Sequence, residues 1–364
     1  MHRRAFLQTA AGSAAAAGAP AQDRPVVPIR LGFDTYSIRA FRWKAIQLLD
    51  YAAGLKLDTI QISSLGDYES LEPAYLAGVR DHASKLGIAI DGGTGCICPL
   101  STSWSAKNGD PKENILSGLR AAKAVGANSM RCFQGNRDDR RGKLPIEALM
   151  ERTIAVFRSV RSEAQDLGVR IALENHAGDM QAHEVRTIIE EAGKDFVGSC
   201  LDTGNPMWVV EDPLVSLEVL APYVVTTHIR DSVVYEHPRG AAAQWVALGD
   251  GTVDFHKFVE RYRELCPKAN MQLEIITGRP PDVLPYLEPD FWKAFPKAKA
   301  SEFARFVALA KKGHPYAGFM VVEDGARAPL PEFRAALREQ QRVDLERSLE
   351  YAKKSLDVGV RWRS

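Results

Sequence analysis

Val169-Arg-Ile-Ala-Leu-Glu174 is a short, mostly apolar run that ends on a carboxylate. Three more follow it: Val197-Gly-Ser-Cys-Leu-Asp202, Val224-Val-Thr-Thr-His228 and Asn270-Met-Gln-Leu-Glu274. Each reads as a strand buried on both faces, the pattern of a parallel sheet covered by helices. Each stops on a residue that can bind a metal ion: Glu174, Asp202, His228 and Glu274. These residues lie 28, 26 and 46 positions apart, and the first two spacings fit one strand–helix repeat. The third is longer because residues 231–254 read as a long loop. In an α/β barrel the C-terminal ends of the strands converge on one face, where active sites lie. Three carboxylates and one imidazole gathered there suit a divalent ion, Mn²⁺ or Mg²⁺ first, with Co²⁺, Ni²⁺ or Zn²⁺ as alternatives. One strand-end acid alone would be only a solvated or helix-bound group. Four consecutive strands each ending on a ligand type are another matter, and several carboxylates buried together need a cation to offset their charge.

Outward from this block the same alternation continues. Residues 31–35, 57–62, 88–91 and 128–133 read as earlier strands, with Gly92 to Pro99 as a Gly-rich loop. Amphipathic or capped helices are expected over 41–54, 71–86, 111–125, 145–167, 182–192, 213–220 and 255–265. Gly87, Gly126 and Gly168 each stand just before a strand, where a helix C-cap belongs. Eight β-α units favour a (β/α)₈ TIM barrel over residues 30–364, after a linker at 22–29. An open doubly wound sheet is the alternative. No Gly-x-Gly-x-x-Gly follows the first strand, which argues against a dinucleotide site. Residues 279–331 form an insertion after the eighth strand, rich in proline and carrying Phe291, Trp292, Phe295 and Phe303. An insertion there sits on the active-site face. It reads equally as a lid, a homo-oligomer contact or a solubilising loop, with a short helix at 300–311 and the last helix at 330–356.

Of the 364 residues, 45% are hydrophobic and 26% charged, enough for one large core. A formal net charge of +1 gives no reason for a nucleic-acid or anionic-membrane partner. Five cysteines are too few and odd in number for a disulfide framework. The first residues differ from the rest. Arg3-Arg4, then Phe6-Leu7, an Ala-rich stretch and Ala19-Pro20-Ala21 resemble a twin-arginine signal peptide over residues 1–21. A chance Arg-Arg before a disordered tail is the alternative. The stretch is shorter than the ~20 apolar residues that span a bilayer. The resemblance implies export to the periplasm, with no membrane attachment once the signal is cut.

The motifs Leu-Glu174-Asn-His, Leu-Asp202-Thr-Gly-Asn, Thr-His228-Ile-Arg-Asp and Gln-Leu-Glu274 resemble those of the xylose-isomerase-like TIM-barrel superfamily. The stretch Leu248-Gly-Asp-Gly-Thr-Val-Asp-Phe255 is similar to the loop before its seventh helix. The resemblance covers roughly residues 30–280 and the last helix. It implies sugar chemistry: isomerases, epimerases and dehydratases. In the epimerase branch two glutamates bind the metal and exchange a proton with substrate carbon, roles that would fall to Glu174 and Glu274. A cation beside a hydroxyl and a carbonyl acidifies the carbon-bound proton and stabilises an enediolate.

Two departures open a second reading. Asn205 stands where that branch has histidine, and only Asp179 stands near its further glutamate. His176, two residues after Glu174, is as in dehydratase-like branches and is a candidate acid/base or hydroxyl-binding group; a structural histidine is the alternative. Arg230 would bind a substrate oxygen or pair with Asp231. Asn205, Trp208 and Trp104 are candidates for sugar contacts, the tryptophans by stacking. The main expectation is thus a sugar isomerase or epimerase using an enediolate. The alternative is a lyase or dehydratase acting on a keto-sugar, keto-glycoside or keto-inositol. A phosphodiesterase would need more strand-end histidines and a basic surface.

Overall fold

The computed structural model describes residues 28–318, 322–324 and 330–364. The export signal read from residues 1–21 lies outside the described residues. Seven strands follow one another in the ring: β1 (Leu31–Asp34), β2 (Thr59–Ile62), β3 (Ala89–Cys96), β4 (Ser129–Phe133), β5 (Arg170–Glu174), β6 (Val197–Asp202) and β7 (Val224–His228). A hairpin comes next, β8 (Asp231–His237) and β9 (Gly240–Val246), then β10 (Met271–Leu273) and β11 (Asp282–Leu284). All neighbours from β1 to β7 pair in parallel, and β10 pairs with β1. The ring closes just past β7, where Ile229 N–H donates to Gln272 O (2.8 Å) and Glu274 N–H to Ile229 O (3.0 Å). This is the expected TIM barrel. Its strands are buried on both faces, against side chains inside the ring and helices outside it.

The helices start and stop for local reasons. Pro73, Pro111 and Pro213 open three of them, where a missing N–H costs nothing. Gly87 and Gly168 close two in the left-handed region, at φ 67° and 66°, where a side chain would strain the backbone. Two expected helices are divided. Residues 146–167 break at Val160, which leaves helical geometry at φ −117° and buries its side chain in the core. The first α-helix is shorter than expected, Ala45–Gly54. A 3₁₀ turn over Thr35–Phe41 precedes it, capped by Asp34, and Arg42 at φ 56° redirects the chain.

Two expected loops are strands. β3 runs on through Gly92 and Gly93 to Cys96, because these glycines let it lie close to its neighbours. The stretch after His228 is not a plain loop: β8 and β9 pair in register across a two-residue turn at Pro238-Arg239. β11, from the insertion, adds antiparallel to β9. The helix Ala300–Ala310 then packs over this sheet. Trp208, Val234, Ala243, Leu284, Phe291 and Phe306 form a second apolar core there, apart from that of the barrel. The insertion is therefore a packed layer with its own interior. All five cysteines are buried and free. No helix among the described residues is long and apolar enough to cross a membrane.

Candidate metal centre and cavity

Glu174, Asp202 and His228 close β5, β6 and β7, and Glu274 follows β10 by one residue. The barrel register brings these four strand ends together. One ligand atom from each lies within 4.8 Å of the others. The centre of the group is His228 Nδ1. It stands 3.4 Å from Glu174 Oε1, 3.5 Å from Glu274 Oε2 and 4.0 Å from Asp202 Oδ2. It is buried and has no hydrogen-bond partner, and neither has Glu274 Oε2. An orphaned ring nitrogen facing three carboxylate oxygens is the donor set of a divalent ion.

The far side of the ring fixes which nitrogen can serve. The Gln61 amide lies 2.9 Å from His228 Nε2 and 3.1 Å from Thr226 Oγ1. Thr226 Oγ1 is also 3.0 Å from Asp91 Oδ2. Thr226 has one proton, and a carboxylate can only accept, so the hydroxyl donates to Asp91. As placed, Gln61 turns Oε1 to Thr226 and Nε2 to His228; exchanging the two ends of the amide lets its N–H donate to Thr226 instead. That turns the Gln61 carbonyl toward His228 Nε2, which must carry the proton. Asp34 Oδ2, unpartnered and 3.4 Å from Nε2, draws the proton the same way. The lone pair is therefore on Nδ1, facing the carboxylates. Burial lowers the His228 pKa, but Cys200, Glu274, Glu174 and Asp34 outweigh it and raise the value well above that of a free imidazole. A proton and a metal ion thus compete for one lone pair.

Two buried guanidinium groups, Arg131 and Arg230, share the site. Arg131, in the middle of β4, bonds Glu174 Oε2 from Nε at 2.5 Å. Arg230 pairs with Asp202 and lies 2.8 Å from Glu274 Oε2. Burial would weaken both guanidinium ions, but Glu174 for the first and Asp202 for the second raise their pKa instead. Burial also works against a charged Glu174, yet Arg131, His228 and His176 hold its carboxyl well below the usual range. Burial pushes Asp202 up to about 7 despite Arg230. With the His228 lone pair free and all four carboxyls ionised, as ligation requires, Asp34, Glu174, Asp202 and Glu274 against two guanidinium ions leave two negative charges, which one divalent ion would cancel. The residues present fit such an ion.

A cavity of about 500 Å³ opens on this cluster, with Arg131, Asn205, Arg230 and Glu274 in its wall. His176 also lines it, stacked on Phe133 at 3.8 Å between ring centres. Its Nδ1 sits 2.6 Å from Gly135 O and so donates there, leaving Nε2 as an acceptor. Burial lowers its pKa to about 4, against the pull of Glu174, and keeps the ring neutral. Asn205 braces the ligands: its side chain donates to Glu174 Oε1 (3.2 Å) and its backbone N–H to Asp202 Oδ1 (2.7 Å). Trp208 lies against Trp245, ring centres 4.4 Å apart, with its indole N–H on Asp282 at 2.9 Å.

Two expectations change. Arg230 does not pair with Asp231, which instead accepts backbone N–H bonds from Ser232, Gly249 and Gly251. Its guanidinium turns inward to the ligand carboxylates, and Gly204 permits this: a Cβ there would stand 2.6 Å from Arg230 Cγ. Trp104 does not line the cavity, because it packs on Cys96, Cys98 and Leu149. Arg131, Gln61, Arg137, Arg279 and Asp282 were not anticipated. Arg131 had a signal, a lone charge inside the apolar strand Ser129-Met-Arg-Cys-Phe133, which must find a partner when buried. Arg137 opens the four-residue helix Arg137–Arg140, Asp282 opens β11, and Arg279 lies in the loop before it, all too short to carry a periodic pattern that would place them.

Residues 49–294 match the xylose isomerase-like TIM barrel family. The chain belongs to that family. Among curated proteins it is 26% identical over 229 residues to the uncharacterised YihM protein of Escherichia coli, covering 60% of this chain and 62% of YihM. It is 24% identical over 237 residues to a 3-oxo-isoapionate decarboxylase of Pectobacterium atrosepticum, covering 62% of this chain and 78% of the enzyme. Solved structures share the barrel. A D-psicose 3-epimerase studied in the presence of D-fructose superposes with a TM-score of 0.56 at 17% identity, over 90% of this chain and 99% of its own. The IOLI protein with a bound zinc atom gives 0.53 at 15%, over 79% and 100%. A family member from Mycobacterium smegmatis in complex with magnesium gives 0.53 at 15%, over 78% and 96%.

Proposed function

We propose that the chain is a divalent-metal-dependent isomerase or epimerase that moves a proton at a carbon next to a carbonyl of a small sugar, through an enediolate. The observation that carries this is the convergence of His228 Nδ1 with one oxygen each of Glu174, Asp202 and Glu274 beside a sugar-sized cavity. Mn²⁺ or Mg²⁺ suits the oxygen-rich set best, and its neighbours of the same fold include proteins holding zinc and magnesium. The ion would supply a Lewis acid that polarises the carbonyl and acidifies the neighbouring C–H.

The two glutamates are not equivalent. Both Glu174 oxygens are committed, one to Arg131 and one to Asn205, and Glu174 does not line the cavity. Glu274 does line it. Proton abstraction therefore falls to Glu274, and the neutral His176, offering Nε2 to the same cavity, is the second group able to exchange a proton. Trp208 and Trp245 give the sugar an apolar face to rest on. The test is proton NMR in D₂O with a panel of keto-sugars. The proposal expects a product of unchanged formula with deuterium at the reacting carbon.

A second reading is a lyase on an oxidised keto-sugar. Two observations favour it: the decarboxylase relative, and Arg137 and Arg279 on the cavity wall, which suit a substrate carboxylate. In that case the C–C bond breaks, carbon dioxide leaves, and the enolate left behind takes a proton. Release of carbon dioxide in the same NMR sample distinguishes the two. Export to the periplasm, read from Arg3-Arg4, belongs to the proposal and favours an unphosphorylated substrate. Replacing both arginines by lysine should retain the protein in the cytoplasm.

A further inference from the structure

A second meeting point of metal-binding side chains lies away from the strand ends, at His183, Glu211 and Glu302. Each comes from a different element. His183 is in the first turn of the helix Ala182–Ala192, and Glu211 precedes the helix Pro213–Leu220. Glu302 is in the first turn of the insertion helix Ala300–Ala310. One ligand atom of each lies within 4.8 Å of the other two.

Neither ring nitrogen of His183 has a hydrogen-bond partner, although both are shut off from solvent. Buried polar atoms are normally paired, so two on one ring call for an explanation. The nearby groups do not supply it. Glu184 is held by Arg140, at 2.7 and 2.9 Å. Lys299 bonds one oxygen of Glu302 at 2.8 Å and leaves the other free of it. Glu211 is enclosed, taking the Ser216 hydroxyl on Oε1 at 2.6 Å and the Ala182 N–H on both oxygens at 3.3 Å. Burial lowers the His183 pKa and leaves the ring neutral, as a metal ligand must be.

We propose that His183, Glu211 and Glu302 form a second divalent-cation site, suited to Zn²⁺, that fastens the insertion to the barrel. One imidazole and two carboxylates are a zinc donor set, with a fourth place for water. Glu302 is partly exposed and gives the ion its way in. The ion touches no residue of the cavity and takes no part in the chemistry there. It ties down the insertion helix, whose layer also carries the cavity residues Arg279 and Asp282. The inference does not depend on the proposed function.

The full chain, stripped with a chelator and titrated with ZnCl₂, is analysed for bound zinc by mass spectrometry under non-denaturing conditions. Glu302→Gln sits on the partly exposed helix and should fold, so it is the primary variant; His183→Ala is the second. Each should bind one zinc fewer than the wild type and show a smaller rise in Tm with zinc. Glu174→Gln should lose the other ion and keep this one. Equal zinc content in wild type and Glu302→Gln, with equal Tm shifts, overturns the proposal whatever becomes of the barrel site.

Discussion

The inner wall of the cavity is made of charged side chains fixed by strand ends, and its outer wall of aromatic side chains fixed by an inserted layer. At the inner wall each group answers for another: Arg131 for Glu174, Arg230 for Asp202 and Glu274, Asn205 for both Glu174 and Asp202. Buried charges tolerate little displacement, because an unpaired one is costly. At the outer wall Trp208 and Trp245 rest on an apolar layer with Phe291 and Phe306, with Asp282 holding the Trp208 indole N–H. Apolar packing is non-directional and survives substitution of similar volume. The two walls therefore suit different tasks. The inner one can keep a fixed chemistry, and the outer one can change with the substrate.

The largest expected effect tests the division of labour within the inner wall. Assayed at saturating metal, with the amide oxygen left to face the ion, Glu274→Gln should lower turnover by about 10²–10⁴-fold, the worth of a positioned general base. Glu174→Gln should instead lower metal content. If both variants keep the ion and lose turnover alike, the two glutamates act alike and the asymmetry drawn here fails. Next, Arg131→Met leaves Glu174 buried and unpaired. In chelator-treated protein it should cost about 3–5 kcal/mol by urea unfolding, and added metal should restore part of that.

The outer wall gives an effect of similar size with a different reach. Phe306→Ala should cost about 3–5 kcal/mol. Its faster amide exchange should be confined to β8, β9, β11 and the insertion helix, with β4 to β7 unchanged. Exchange spreading through the barrel would show that the two layers are one cooperative unit. The smallest effect concerns the hydrogen-bond chain that links Asp91 through Thr226 and Gln61 to His228. Gln61→Leu should weaken metal binding by about 10–100-fold, as removal of a ligand's outer partner does, with little change in Tm. An unchanged affinity would mean that Asp34 alone orients the ring.

The same contrast explains what could be read in advance. Strand periodicity placed Glu174, Asp202, His228 and Glu274 on one rim, because every β-α unit delivers its strand end to the same face. The helices at 182–192, 213–220 and 255–265 have the limits expected from the sequence. The hairpin β8–β9 was hidden, since Gly240-Ala-Ala-Ala-Gln-Trp-Val246 has only one β-branched residue, behind a glycine and three alanines. The other edge of β9 is held by β11, which lies far along the chain. Trp104 was misplaced for a related reason: a loop aromatic carries no information about which side of its strand it will fold against. The inward turn of Arg230 depends on the missing side chain at Gly204, which local sequence does not relate to it.

The most direct measurement is an anomalous-scattering map from crystals of the full chain soaked in MnCl₂. The account predicts one strong peak within coordination distance of His228 Nδ1 and of an oxygen from each of Glu174, Asp202 and Glu274. No peak there at saturating manganese, or one coordinated through His228 Nε2, would contradict it.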